Sequence, residues 1–169
     1  GLHVVVDAAP HPTAKAMIGV FIMLGMCCVD QVCRRDKTKE AGAHAAESSA
    51  LITALHRAVP VRGLCHELML PQLAPTPTFT DAAAVQTSAR GGVHMRNTPW
   101  LLARTATVVS AVEEEIIKLY KQPGTENPTN SLTKWTGNDE YKRDMAFATN
   151  AIAAKHIVAS SPKALAYLK

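Results

Sequence analysis

The chain has 169 residues, 47% of them apolar and only 5% aromatic. That is enough for one domain, with a core packed from Ala, Val, Leu and Ile. The formal charge of +4 and the pI of 9.0 are compatible with a polyanionic partner but do not require one. The four cysteines, Cys27, Cys28, Cys33 and Cys65, form no CxxC pair, which excludes the usual zinc patterns; they read as reduced, mostly buried thiols of an intracellular protein. The longest apolar run, 16–29, is too short for a comfortable span and is interrupted by Gly19 and Gly25, so no membrane partner is expected. The N-terminus has no basic segment ahead of an apolar one, which reads against a secretory signal.

In chain order, residues 3–8 (HVVVDA) form a β-branched run that predicts a buried strand carrying one acid, Asp7. Residues 16–24 and 26–34 predict two further strands, with Gly25 at the turn between them. Residues 40–59, rich in Ala and Leu, predict a helix closed by Pro60, and a shorter helix is expected around 64–70. A Pro-rich connection, 71–77, leads to a short strand over 76–81 that ends in Asp81. A helix over 82–89 is stopped by Gly91 and Gly92. Pro99 opens a longer helix to about Glu113, and 114–121 alternate as a strand. A short helix is expected near Asn127 or Pro128, and a last one over 139–156. The order is three strands, helix, strand, helices, strand, helix: an α/β layout with a mixed sheet.

Three acids stand out in this layout. Asp7 lies in an apolar strand, where a carboxylate is costly unless paired, metal-bound or at a wet edge. Glu47 shares a helical face with Ala50, Leu51, Ala54, Leu55 and Ala58, so it is aimed at the sheet or tops the helix at the domain rim. Asp81 serves as a helix N-cap or as a ligand at the carboxyl end of a strand, where α/β sites form. Were the three to converge, their repulsion would call for hard divalent cations such as Mg²⁺ or Mn²⁺. Two such ions, roughly 3.5–4 Å apart, activate water and stabilise the leaving oxygen of a phosphodiester.

These segments together resemble the ribonuclease H domain of copia-type LTR retrotransposons. ESSALITAL (47–55) resembles the family helix that begins with its glutamate. TFTDAAAVQTSARGGVHMR (78–96) resembles its strand, third acid, helix and His-x-Arg, and EEIIKLYKQPGTENPTNSLTK (114–134) its last strand and closing Ala-Asp-x-Leu-Thr-Lys signature. HVVVDA resembles the first strand with its leading aspartate. The likeness runs from about residue 3 to residue 145; residues 146–169 read as a helical extension.

The resemblance implies an RNase H-like fold, a five-stranded mixed sheet flanked by helices. It also implies two Mg²⁺ ions, replaceable by Mn²⁺, bound by Asp7, Glu47, Asp81 and the residue at position 130. The expected activity is hydrolysis of the RNA strand of an RNA/DNA hybrid, by a domain carried beside a reverse transcriptase in the cytoplasm or in retroelement particles. The family has aspartate where Asn130 stands here. An amide carries no charge, so the second ion is expected to bind weakly and catalysis to fall. That departure keeps open an inactive hybrid-binding module of the same fold. Glu126 and Asp139 are the candidate substitutes for the missing acid.

Ala82 stands where the family usually has Asn, and Thr98 and Pro99 replace its Lys-His pair. For substrate contact, Ser48 and Ser49 beside Glu47 are candidates for a 2′-hydroxyl, and Arg90, His94 and Arg96 for phosphates. Each also has a plainer reading, as a helix-start serine or a solvated basic loop. Lys134 reads as structural, and Trp100 and Trp135 as packing residues. An integrase of the same fold is disfavoured, because integrases place their glutamate on a late helix.

Overall fold

The computed structural model describes residues 1–11, 14–37, 42–89 and 99–150. Five strands form one sheet: β1 (Leu2–Ala9), β2 (Met17–Leu24), β3 (Cys27–Arg35), β4 (Thr76–Thr80) and β5 (Ile117–Lys121), in the order β3-β2-β1-β4-β5. The helices are α1 (Ala43–Glu67), α2 (Ala83–Ala89), α3 (Pro99–Glu113), α4 (Asn130–Thr133) and α5 (Asn138–Ala148), with a 3₁₀ turn at Gly124–Glu126. β1, β2 and β3 run as an antiparallel meander, and β1, β4 and β5 are parallel to one another. The expected mixed sheet is therefore present.

β1 is central and covered on both faces, which is why it reads as an unbroken apolar run. Its even-numbered residues, Leu2, Val4, Val6 and Ala8, join Ile18, Val20 and Ile22 of β2 against α1 and α3. On the other face Val5, Phe21, Met23 and Phe79 pack with Phe147 of α5. β3 is an edge strand and alternates exposed with half-buried positions, Val32 alone being buried. Cys27 and Cys33 are exposed on it and Cys28 is half-buried, so the thiols are not mostly buried as expected, Cys65 excepted. β4 contains Pro77, but pairing with β1 begins only at Thr78, so the missing N–H falls before that ladder.

Three boundaries differ from expectation. Pro60 does not close α1; the helix continues to Glu67. Pro60 is exposed, so the carbonyl it leaves without a backbone donor lies on the water side of the helix. The added turns are held by Arg62, whose guanidinium donates to Ala74 O and Thr76 Oγ1 (2.9 Å each) and to Gln72 O. β5 starts at Ile117 rather than at residue 114, because α3 ends in a left-handed turn at Glu115 (φ 56°), with Ile116 N–H donating to Ala111 O at 2.9 Å. α5 stops at Ala148, followed by Asn150 at φ 62°; the rest of the expected helix over 139–156 and of the extension over 146–169 lies outside the described residues. Among the described residues, no helix is long and apolar enough to cross a membrane.

Candidate functional site

The carboxyl ends of β1 and β4 bring Asp7, Glu47 and Asp81 together. Each offers an oxygen within 4.8 Å of the others'. Asp7 lies on the β1 face turned toward α4. Glu47 comes from the first turns of α1, on the opposite face, and meets Asp7 where the strand ends. Asp81 immediately follows β4. Asp7 is 1% exposed and Glu47 9%, so neither is the rim or wet-edge acid that pattern alone allowed. The Ala82 N–H donates to Thr80 Oγ1 at 3.2 Å, so the start of α2 does not rely on the Asp81 carboxylate.

Crowding shows in the protonation of these acids. Glu47 is pushed up to about 8, first by burial and then by Asp7 and Asp81; the Ala8 backbone N–H and Lys134 oppose the shift. Asp81 is raised, first by burial and then by Asp7, against Lys134 and Lys121. Glu47 Oε2 is buried with no hydrogen-bond partner. A buried, unpartnered carboxylate oxygen beside two further carboxylates is the donor set that a hard divalent cation satisfies. The residues therefore fit such an ion, held by Asp7, Glu47 and Asp81.

The segment after β5 closes the site from the other side. Asn127 Nδ2 donates to Val6 O at 3.1 Å, and its Oδ1 accepts from Thr129 N–H at 3.1 Å and from the Thr129 hydroxyl. This pins the chain against β1 and sets α4 over Gly19, the partner of Asp7 on β2. The Thr133 hydroxyl then donates to Asp7 Oδ2. Lys134 Nζ lies 3.2 Å from the same oxygen and 3.0 Å from Asn130 Oδ1. Gly124 crosses Asp81 so closely that a β-carbon there would lie 2.8 Å from Asp81 Oδ2.

Asn130 thus borders the acidic cluster and is joined to Asp7 through Lys134. Neither Glu126 nor Asp139 joins the cluster. Ser48 is fully buried and its hydroxyl donates to His44 O at 2.8 Å, which takes it away from any surface a 2′-hydroxyl could reach. Ser49 is 8% exposed. Arg90, His94 and Arg96 lie outside the described residues, as does the side chain of Trp100; Trp135 is exposed. Sequence reasoning missed Gly19, Gly124, Asn127 and Thr133. The available signals were a glycine inside an apolar strand, which marks close approach, and the polar residues of NPTNSLTK (127–134).

Compared by sequence, the chain matches no family model and no curated protein. Compared by structure, it matches ribonuclease H1 domains. The LC11 ribonuclease H1 in complex with an RNA/DNA hybrid aligns at TM-score 0.60 and 17% identity, over 79% of this chain and 94% of that one. The N-terminal ribonuclease H domain of a Mycobacterium tuberculosis protein aligns at TM-score 0.62 and 16% identity, over 88% and 98%. The Halobacterium salinarum ribonuclease H1 aligns at 0.61 and 18%, over 84% and 98%. The chain has the ribonuclease H-like fold, with its acidic cluster at the carboxyl ends of two neighbouring parallel strands.

Proposed function

We propose that this chain is a metal-dependent ribonuclease H that hydrolyses the RNA strand of RNA/DNA hybrids. The observation that carries the reading is the convergence of Asp7, Glu47 and Asp81 from two strands and a helix onto one point of a ribonuclease H-like fold. Asp7, Glu47 and Asp81 would hold a divalent ion, Mg²⁺ or Mn²⁺. Such an ion, when bound, supplies Lewis-acid stabilisation of a phosphodiester and a more acidic water. The chain's own residues supply the rest. Thr133 orients Asp7 by donating to one of its oxygens. Burial around Glu47 excludes water and strengthens its attraction to a cation. Gly124 keeps backbone, not side chain, over Asp81 and leaves that acid accessible.

With an amide at position 130, the donor set is one charge short of the four acids that the two-ion arrangement uses. A second ion is therefore held weakly, and activity is low. The same residue favours a second reading, a hybrid-binding module that no longer cuts. The likeness of ESSALITAL, TFTDAAAVQ and NPTNSLTK to copia-type retroelement domains supports an origin beside a reverse transcriptase, in the cytoplasm or in retroelement particles. Phosphate contact by Arg90, His94 and Arg96 belongs to the same proposal.

The test is cleavage of a labelled RNA/DNA hybrid in Mg²⁺ and in Mn²⁺ by the chain and by its Asn130→Asp and Asp7→Asn variants. The nuclease reading expects a 5′-phosphate product, more of it with Asn130→Asp and none with Asp7→Asn. Binding without cleavage by the chain, with cleavage restored in Asn130→Asp, selects the binding module. Preference for duplex DNA over the hybrid overturns both.

A further inference from the structure

Lys134 places a fixed positive charge inside the acidic site. Its ammonium lies 3.2 Å and 3.5 Å from the two oxygens of Asp7 and 3.0 Å from Asn130 Oδ1. The Asn130 amide is oriented for this contact. Its Nδ2 donates to Gly124 O at 2.6 Å and to Glu140 Oε1 at 3.4 Å, which leaves the carbonyl oxygen facing the ammonium. A carboxylate and an amide oxygen, held by β1 and α4, thus share one cation belonging to the chain. Glu47 Oε2, by contrast, is buried and has no hydrogen-bond partner, so Lys134 leaves part of the cluster of Asp7, Glu47 and Asp81 uncompensated.

We propose that Lys134 is the resident second cation of this site, so that the chain takes up one divalent ion, on Asp7, Glu47 and Asp81, and not two. The proposal rests on the metal-site reading above and deepens it. Charge balance is the physical reason. Three carboxylates, one ammonium and one divalent ion leave the site neutral. A second divalent ion beside the ammonium would leave an excess of two positive charges among groups only a few ångströms apart, where like charges repel strongly. Asn130 fits the same balance: an amide oxygen accepts from an ammonium without adding a negative charge that the lysine alone would have to match.

The test is a Mn²⁺ titration of the full chain, with free Mn²⁺ followed by electron paramagnetic resonance, and thermal melts to verify that each variant is folded. Lys134→Met keeps most of the half-exposed aliphatic stem and removes the charge. The unmodified chain is expected to bind one ion, and the Asn130→Asp, Lys134→Met double variant two. Lys134→Met alone is expected to bind its first ion about tenfold more tightly, because a neighbouring like charge is gone. A lysine that merely holds Asp7 in place predicts the opposite sign, so weaker first-ion binding in Lys134→Met overturns the proposal. Two ions of comparable affinity in the unmodified chain also overturn it, yet leave the nuclease reading standing. Absence of Mn²⁺ binding in every variant overturns both.

Discussion

A β-carbon at Gly19 would lie 2.7 Å from Thr133 Cγ2, and 3.0 Å and 3.1 Å from Leu132 Cβ and Thr129 O. The bare backbone of β2 is therefore what lets α4 settle against the sheet beside Asp7. Gly19→Ala is expected to push α4 outward and to destabilise the fold by about 1–3 kcal/mol, the usual cost of overpacking. Calorimetry of the variant checks the loss; an unchanged melt would show that α4 tolerates the methyl group.

The Thr133 hydroxyl donates to an Asp7 oxygen inside the protein. Thr133→Val keeps the shape and removes the donor. The Asp7 carboxylate then loses a hydrogen bond in a site where only Lys134 replaces it, with an expected cost of about 1–3 kcal/mol. Thr133→Ser, which retains the hydroxyl, should recover most of the loss. Urea unfolding of the pair measures the difference, and equal stability of the Val and Ser variants would refute the role given to the hydroxyl.

Without divalent ions, stability should fall as pH rises through the range set by Glu47. Its carboxyl is raised from an ordinary 4.5 to about 8, so the native state holds its proton more tightly than the unfolded chain. Between those two values unfolding releases a proton, and the free energy of unfolding decreases with increasing pH. Below 4.5 the effect is absent, and above about 8 it is complete. Saturating Mg²⁺ should flatten this slope, because a bound cation favours the ionised acid. Glu47→Gln should flatten it without metal. Melts from pH 4 to pH 9, with EDTA and with Mg²⁺, test the sign.

His3 works in the opposite direction. It is buried with Nδ1 unpartnered, edge-on to Phe79 at 6.3 Å, and its imidazole is lowered from 6.5 to about 4, first by burial and then by the N-terminal charge. Here the unfolded chain binds the proton more readily, so stability is complete above 6.5 and is lost as pH falls toward 4. His3→Leu should remove this acid sensitivity. Comparing the melting temperatures of the two proteins at pH 7 and at pH 4.5 isolates the effect, and a parallel drop in both would sink it.

Much of the scaffold was legible in the residues themselves. The β-branched run at 3–8 required burial on both faces, and it became the central strand. The alternation in β3 matched its edge position, and Gly25 marked the hairpin turn. Asp7 and Glu47 stood out because a carboxylate inside an apolar strand or on the inner face of a helix is costly unless something compensates it; Asp81, which pattern alone read as an N-cap, was tied to them by the family resemblance.

Local pattern failed where a boundary was decided by a distant partner. Pro60 signals a helix end, yet α1 continues, because Arg62 ties its last turns to Gln72, Ala74 and Thr76. Ser48, at the surface by its residue type, is buried through its place in the tightly packed start of α1.

The sequence by itself determined the strand and helix order and which acids had reason to converge, since hydrophobic period and the cost of burying charge are local properties. Only the tertiary structure decided how the acids are compensated. The approach of Thr133 and Lys134 to Asp7 spans more than a hundred residues of chain and depends on Gly19 leaving room for it. Neither distance nor free space is written in any local run of residues.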